Sequence, residues 1–457
     1  MKSDVRKTEI RIAYIGGGSK AWAHTLMKDL ALTPGLGGGL FLYDIDHDAA
    51  RRNVDVADAI FGHPDARSRF KTTAVKTAAQ ALKGADFVVM SIEPGPMQMR
   101  HADLEIPKRY GIVQPVGDST GPGGIMRGLR TAPVYADYAH LIMRHCPNAW
   151  AINYTNPMSI CVAALYAAEP GIKAFGCCHE VFGAQIGLAN LVAKWFKVET
   201  PARQEIALDI AGLNHFTFAT TVTWRGVDLM PRLLEMAGDA AFFKDRTKAA
   251  LARKRSEQWF TSDRLVAFDF LRRFGVLGAA GDRHLAEFVP WYLASEQGLH
   301  RWGVVLTPLS YRLRNAAVPP ASPASYRQSK LVESPEEGAR QISALLGLAP
   351  PFCTNVNLPN RGQMPGMPAG SVVETYAYFS RDAIRPLAAQ PLPAALASHI
   401  QHISTLQRMT VRGALEKDKA LAFQAFVSDP LVRIPTDKAW KMFNEMLAYT
   451  GCSEGYK

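Results

Sequence analysis

One strand–turn–helix junction restricts this chain more than any other stretch. Residues 11–15, RIAYI, run into Gly16-Gly17-Gly18-Ser19 and then into a helical pattern from Ser19 to Leu32, so Gly16, Gly18 and Ala21 make a G-x-G-x-x-A spacing. The first glycine permits the tight turn and the second lets a pyrophosphate approach the backbone. The small third residue lets helix and strand pack closely while the helix N-terminus faces the phosphates. The next strand candidate ends in Tyr43-Asp44-Ile45-Asp46, where Asp44 is placed to accept hydrogen bonds from an adenosine ribose and to repel a 2′-phosphate. The junction reads as a site for NAD, with Gly16, Gly18, Ser19 and Asp44 as cofactor-binding residues. A glycine-rich turn followed by a solvated acid is the plainer alternative.

Around that turn the first 200 residues alternate short β-branched runs with helical stretches. RIAYIG, GLFLYDID, DFVVMSI, AWAINYTN and KAFGCCH are strand candidates, and the segment Thr131 to His145 carries helical spacing. Such alternation predicts an α/β fold with a Rossmann-type, doubly wound parallel sheet over residues 1–200. Residues 201–457 read as a second domain, α+β and mostly helical, for substrate, metal and oligomer contacts. It opens on the strand-like IALDIAGLNHFTFATTVTW, contains an exposed connection at 316–325 (AAVPPASPAS), and ends in packed helices between Leu392 and Tyr449.

Composition excludes several classes of function. The formal charge is +11, yet no run of five Lys or Arg occurs, so the basic excess reads as spread over the surface with a share for an acidic substrate, not as a nucleic-acid arm. The first eleven residues carry charges and only a short apolar run follows, which fits neither a secretory leader nor a membrane span and points to the cytoplasm. Six irregularly spaced cysteines do not make a disulfide scaffold and leave thiols free to ligate a metal.

A series of blocks then narrows the reading: GDSTGPGGIMRGLRT at 117–131, NYTNPM at 153–158, GCCHEVFG at 176–183, AGLNHF at 211–216, NVNLPNRGQMPGMPAGSVVE at 355–374 and SDPLV at 428–432. With IGGGS and LYDID, in this order and spacing, they resemble glycoside hydrolase family 4, the NAD-dependent α-glycosidases and 6-phosphoglycosidases, over nearly the whole chain. The resemblance implies a lactate/malate dehydrogenase-like architecture, a homodimer or homotetramer, and a divalent ion, usually Mn2+, on Cys178 and His215. It also implies that Asn156 lies at the substrate and metal site, that Asn153 orients the nicotinamide, and that Asp118 lies near the sugar. Arg100 and Asp103 match an R-x-x-D element that touches substrate. In GDRHLAEFVP the resemblance makes Asp282 the catalytic base, a role some members give to a tyrosine, with Arg283 and His284 as sugar contacts. His179 is expected to hold a substrate hydroxyl or the ligand shell.

The implied chemistry departs from two-carboxylate glycosidases. NAD takes hydride from C3 of the sugar, the polarised ketone acidifies C2–H for the base, the aglycone leaves C1 with help from Asp118 or water, and water and hydride then return. GDRHLAEFVP and VGDSTGPGGIMRGLR resemble most the branch acting on α-galacturonides, and Arg100, Arg127, Arg130 and Arg283 offer guanidinium groups to clamp a uronate. A neutral α-glucosidase or α-galactosidase of the same family, a 2-hydroxyacid dehydrogenase, and a catalytically silent NAD-binding sensor stay open as alternatives.

Overall fold

The computed structural model describes residues 8–456, so the charged residues 1–7 used in the leader argument lie outside the described residues. Among the described residues thirteen strands form one sheet: β1 (Thr8–Ile15), β2 (Leu36–Tyr43), β3 (Arg69–Ala74), β4 (Phe87–Met90), β5 (Trp150–Asn153), β6 (Lys173–Gly176), β7 (Ile206–Leu213), β8 (Phe216–Trp224), β9 (Val227–Asp228), β10 (Leu277–Gly278), β11 (Phe352–Pro359), β12 (Val372–Ser380) and β13 (Ala383–Pro386). Strands β3-β2-β1-β4-β5-β6 are parallel, as expected from the alternating pattern. Strand order reverses between β1 and β4, the place where an open α/β sheet binds its ligand.

The five nominated strands are all present, and β3 is an addition. It lies at the sheet edge and exposes Arg69 and Lys71 while burying Phe70 and Thr72, so only half of it carries an apolar signal. At the other edge β6 meets β11 antiparallel through the single pair Asn357↔Gly176, and the sheet continues antiparallel through β12, β7, β8 and β10. The second half of the chain therefore extends the first half's sheet.

The helix expected from Thr131 begins ten residues earlier and runs Gly121–His145. Its glycines lower helix propensity, which hid the start, but the packing requires them. A Cβ on Gly123 would stand 2.6 Å from the Asp103 carbonyl oxygen and 2.9 Å from that of Gly117. This buried helix carries Arg127 and Arg130 and packs against the C-terminal helix Ala394–Glu416. The tail is helical as read, with Lys419–Val427 and Thr436–Tyr449 completing it. No helix among the described residues is long and apolar enough to cross a membrane.

Candidate active site

One cleft of about 760 Å³ runs from the glycine turn to the buried polar centre of the molecule. At its first end Gly16 has φ +90°, and a Cβ there would lie 2.1 Å from the Ser91 carbonyl oxygen at the end of β4. The turn thus lies flush against the switch point, leaving the space above its amides for a phosphate. Asp44 braces it, accepting from Gly18 N at 2.9 Å and Asp46 N at 3.0 Å. Asn53 donates to the Gly17 and Ser19 carbonyls. Gly16, Gly18, Ser19 and Asp44 all line the cleft, with Trp22, Tyr154 and the exposed Ile45.

At the other end lies Asp118, whose loop is clamped on both sides. Glu287 accepts the amides of Val116 and Gly117, and Asp429, from SDPLV, accepts from Gly121 N at 3.0 Å and from Thr120 Oγ1. His215 arrives from the opposite direction, in the two-residue turn between β7 and β8, with φ +69°. A left-handed histidine is an uncommon backbone state that persists where surroundings enforce it, typically at functional sites. Next to this turn Glu374 accepts from Thr217 Oγ1 and from Asn355 and Asn357 of the NVN block. Ser119 Oγ donates to Asp118 Oδ1 at 2.8 Å and pairs with His215 Nδ1 at 2.9 Å.

Asp118, His215 and His284 each turn one ligand atom into a common space, all within 4.8 Å of one another. The two imidazole rings touch, with centroids 3.8 Å apart. Burial and the neighbouring His284 bring His215 down to about 3, so it is a neutral lone-pair donor at physiological pH. Burial pushes Asp118 up, but His215, His284, Arg127 and Arg100 outweigh it and hold its carboxyl well below the carboxylate range. Held ionised in this way, Asp118 is suited to face a cation. A carboxylate and two imidazoles are an appropriate donor set for a divalent transition metal. Asn156 lines the cleft next to this group with its Oδ1 buried and unpartnered, a further acceptor.

Cys178 is not a member of that group. Its thiol is buried, next to Asn214 and Glu180, with burial pushing it up, and its carbonyl accepts from Asn355. Glu180 links it to the centre, lying 3.5 Å from His284 Nε2 and accepting from Gly281 N at 2.7 Å. His179 stands half-exposed outside the cleft, its ring tilted against that of Trp22 and its Nδ1 3.2 Å from Glu336. Asn153 has its side chain satisfied internally, accepting from Tyr135 OH and Thr155 N and donating to Thr155 O and Met158 Sδ. It underlies the cleft wall and does not reach the cofactor space. Asp282 Oδ1 accepts from Ala267 N at 3.0 Å, at the start of helix Leu265–Phe274, while its Oδ2 is buried without a partner and burial lifts the carboxyl to about 6.

The arginines divide into two sets. Arg130 is neutralised by Asp103 through two bonds, one of 2.7 Å, and Arg100 by Glu93 at 2.8 and 3.1 Å. The R-x-x-D element is thus two ion pairs with different partners. Arg127 donates to Asn156 O and stands 3.5 Å from Glu93. Among the described residues, Arg283 and Arg312 are hydrogen-bonded to no carboxylate: both turn Nη2 to the Pro115 carbonyl, at 2.7 and 3.5 Å, and each buries an Nε with no partner. Burial and the nearby charges of Arg100 and Arg283 bring Arg312 down to about 10. Glu93 and Arg312 went unnoticed in the sequence, since neither stands in a distinctive spacing, and Ser119 stood in the GDSTGPGG block with no role read for it.

Comparison with known proteins places this geometry. The model of the family 4 glycosyl hydrolases matches residues 11–194, and that of the family's C-terminal domain matches residues 210–432. An alpha-galacturonidase of Thermoanaerobacterium saccharolyticum is 43% identical, covering 98% of this chain and 97% of the relative, and one from Bacillus subtilis is 41% identical, covering 96% and 97%. The solved Bacillus subtilis protein lplD superposes with TM-score 0.87 at 39% identity, covering 96% of this chain and all of that one. A 6-phospho-beta glucosidase from Thermotoga maritima, solved with manganese, NAD+ and glucose-6-phosphate, has TM-score 0.73 at 22% identity, covers 97% and 99%, and shares the fold. With matches along both halves of the sheet and through every block that builds the cleft, the chain belongs to the family 4 glycosyl hydrolases.

Proposed function

We propose that this glycoside hydrolase is an α-galacturonidase that works with NAD and a divalent ion, Mn2+ by preference. The observation that carries the reading is the cleft that runs from a glycine turn shaped for a dinucleotide to Asp118, which shares a ligand space with His215 and His284, near Arg283 and Arg312, which among the described residues are hydrogen-bonded to no carboxylate. The identity to proteins named alpha-galacturonidase supports the choice of sugar. When bound, NAD and the ion supply a reversible hydride acceptor and a Lewis acid at the sugar's oxygens.

In this reading the backbone amides of Gly16–Ser19 hold the pyrophosphate, and Asp44 the ribose. His215, Asp118 and His284 hold the ion, with Asn156 and Cys178 at its margin. Asp282 is the base that removes the C2 proton: Ala267 fixes one oxygen and leaves the other unpaired. Arg283 and Arg312 read the uronate carboxylate, because a guanidinium already neutralised by Glu93 or Asp103 has little to offer a second anion. The protein is a cytoplasmic homodimer or homotetramer in this account, which sedimentation of the purified protein tests.

The functional test compares 4-nitrophenyl α-D-galacturonide with the matching α-galactoside and α-glucoside, with and without NAD and Mn2+. Release of nitrophenol from the uronide, dependent on both additions and at least about a hundredfold better in kcat/KM than from the neutral sugars, is expected. Preference for a neutral glycoside would overturn the substrate assignment. Net NADH formation from a 2-hydroxy acid would make the chain a dehydrogenase, and NAD binding without any turnover would make it a sensor.

A further inference from the structure

The stretch that reads from sequence as an exposed connection, 316–325, is exposed over most of its length, yet it is tied to the cofactor turn at both ends. Lys20, the residue directly after Gly18-Ser19, donates its Nζ to the carbonyls of Ala316 and Val318, the latter at 2.7 Å, at the C-terminal end of helix Leu309–Ala317. A lysine at a helix C-terminus meets both the unpaired carbonyls and the negative end of the dipole. Ten residues on, Tyr326 OH lies 3.1 Å from His24 Nδ1. His24 Nε2 lies 2.8 Å from Asn53 Oδ1, and Asn53 in turn holds the Gly17 and Ser19 carbonyls. Between these ties stands Pro320, which among the described residues is the cleft's only lining residue from beyond residue 201.

We infer that residues 316–326 form a strap closed over the dinucleotide end of the cleft, clasped by Lys20 and Tyr326, and that NAD enters and leaves only when the strap unclasps. The inference rests on the reading of that cleft as an NAD site. Its chemical sense comes from the proposed reaction: hydride returns to the sugar in every cycle, so the cofactor has no reason to leave between turnovers. A dehydrogenase must open for cofactor exchange each time. Pro319, Pro320 and Pro323 restrict the strap's own backbone, which lowers the conformational entropy lost when it closes. Residues 323–328 form a short helix packed on helix His47–Phe61, and beyond it Leu331 N is held by Asp65 and Ser334 N by Asp29, so residues 316–322 can lift while the chain after them stays anchored. His24 and Asn53 are positioning residues, carrying the clasp to the turn without facing the cofactor's reacting end.

The test is stopped-flow binding of NADH to the full-length protein, read by energy transfer from tryptophan, for the wild type, Lys20→Met, Lys20→Arg and Tyr326→Phe. A strap that blocks the way predicts association and dissociation both faster, by about tenfold in Lys20→Met, the equivalent of one hydrogen bond to a charged group, and by about threefold in Tyr326→Phe, which loses a neutral one. Lys20→Arg, which keeps a donor for the two carbonyls, should return most of the wild-type rates. Faster dissociation with unchanged or slower association would mean that these residues merely support the turn, and unchanged rates would mean the strap does not gate; either overturns the inference. Pro320→Gly, which leaves both clasps in place but loosens the strap, should raise both rates if one clasp variant fails to fold. A wild type that binds no NADH would instead overturn the cofactor reading itself.

Discussion

The two ends of the cleft are built on opposite plans. The dinucleotide end is mostly main chain: Gly16 to Ser19 come from one turn, and the side chains around it, Asp44 and Asn53, brace that turn. The sugar end is side chains brought together from distant segments, namely Asp118 from a clamped loop, His215 from a hairpin turn, His284 from a four-residue helix and Arg312 from a helix beyond it. The first end depends on where the backbone lies, and the second on which functional groups project from it. Substitutions should therefore act differently at the two ends.

The largest effect is expected at the sugar end. Asp282→Asn keeps an oxygen for Ala267 N–H but removes the base, so kcat should fall about a thousandfold with little change in melting temperature. A fall of only a few-fold would reduce Asp282 to a cap on its neighbouring helix. His215→Ala should weaken Mn2+ binding, measured by calorimetry or paramagnetic resonance, about a hundredfold or more. Cys178→Ser should weaken it less, because the thiol stands outside the three-residue group. Equal losses would restore cysteine and histidine as joint ligands. At the dinucleotide end, Gly16→Ala forces a Cβ against the Ser91 carbonyl, and NAD affinity should drop at least tenfold while Mn2+ affinity holds. Loss of both would contradict the independence of the two ends.

Arg312→Ala should raise KM for the galacturonide about tenfold to a hundredfold and leave a neutral galactoside unaffected, whereas Arg130→Ala should damage folding before specificity. The smallest effect concerns the loop clamp. Burial lifts the Asp429 carboxyl to about 6 despite its bonds to Leu431 N, Gly121 N and Thr120. Its folded value lies above the unfolded one, so its contribution to stability is complete below about pH 4 and is lost as pH rises through about 6. Asp429→Asn should flatten stability against pH across that window in chemical denaturation. An unchanged slope would assign the dependence elsewhere.

Legibility in the sequence followed the same division. The glycine turn and Asp44 lie within one βαβ unit, where spacing alone carries the geometry. Five of the six parallel strands were readable for the same reason, and β3 was not, because an edge strand shows only half an apolar pattern. His215 and Asp118 stood in recognisable blocks, but nothing local says that the hairpin turn brings one to the other, or that Ser119 bridges them. Cys178 entered the ligand set through its block alone, and Asn153 the cofactor site, although its amide is consumed by Tyr135, Thr155 and Met158. Arg312 sits in an ordinary amphipathic helix. The role proposed for it rests on its being hydrogen-bonded to no carboxylate among the described residues, a property of the folded surroundings.

The claim that joins the two ends is that NAD acts as a recycled catalyst on the sugar held beside it. Hydrolysis of the α-galacturonide in D2O, followed by proton NMR of the released galacturonic acid, tests it most directly. The account predicts deuterium at C2 in step with bond cleavage, none at C3, and no net NADH. Product carrying hydrogen at C2 would contradict it.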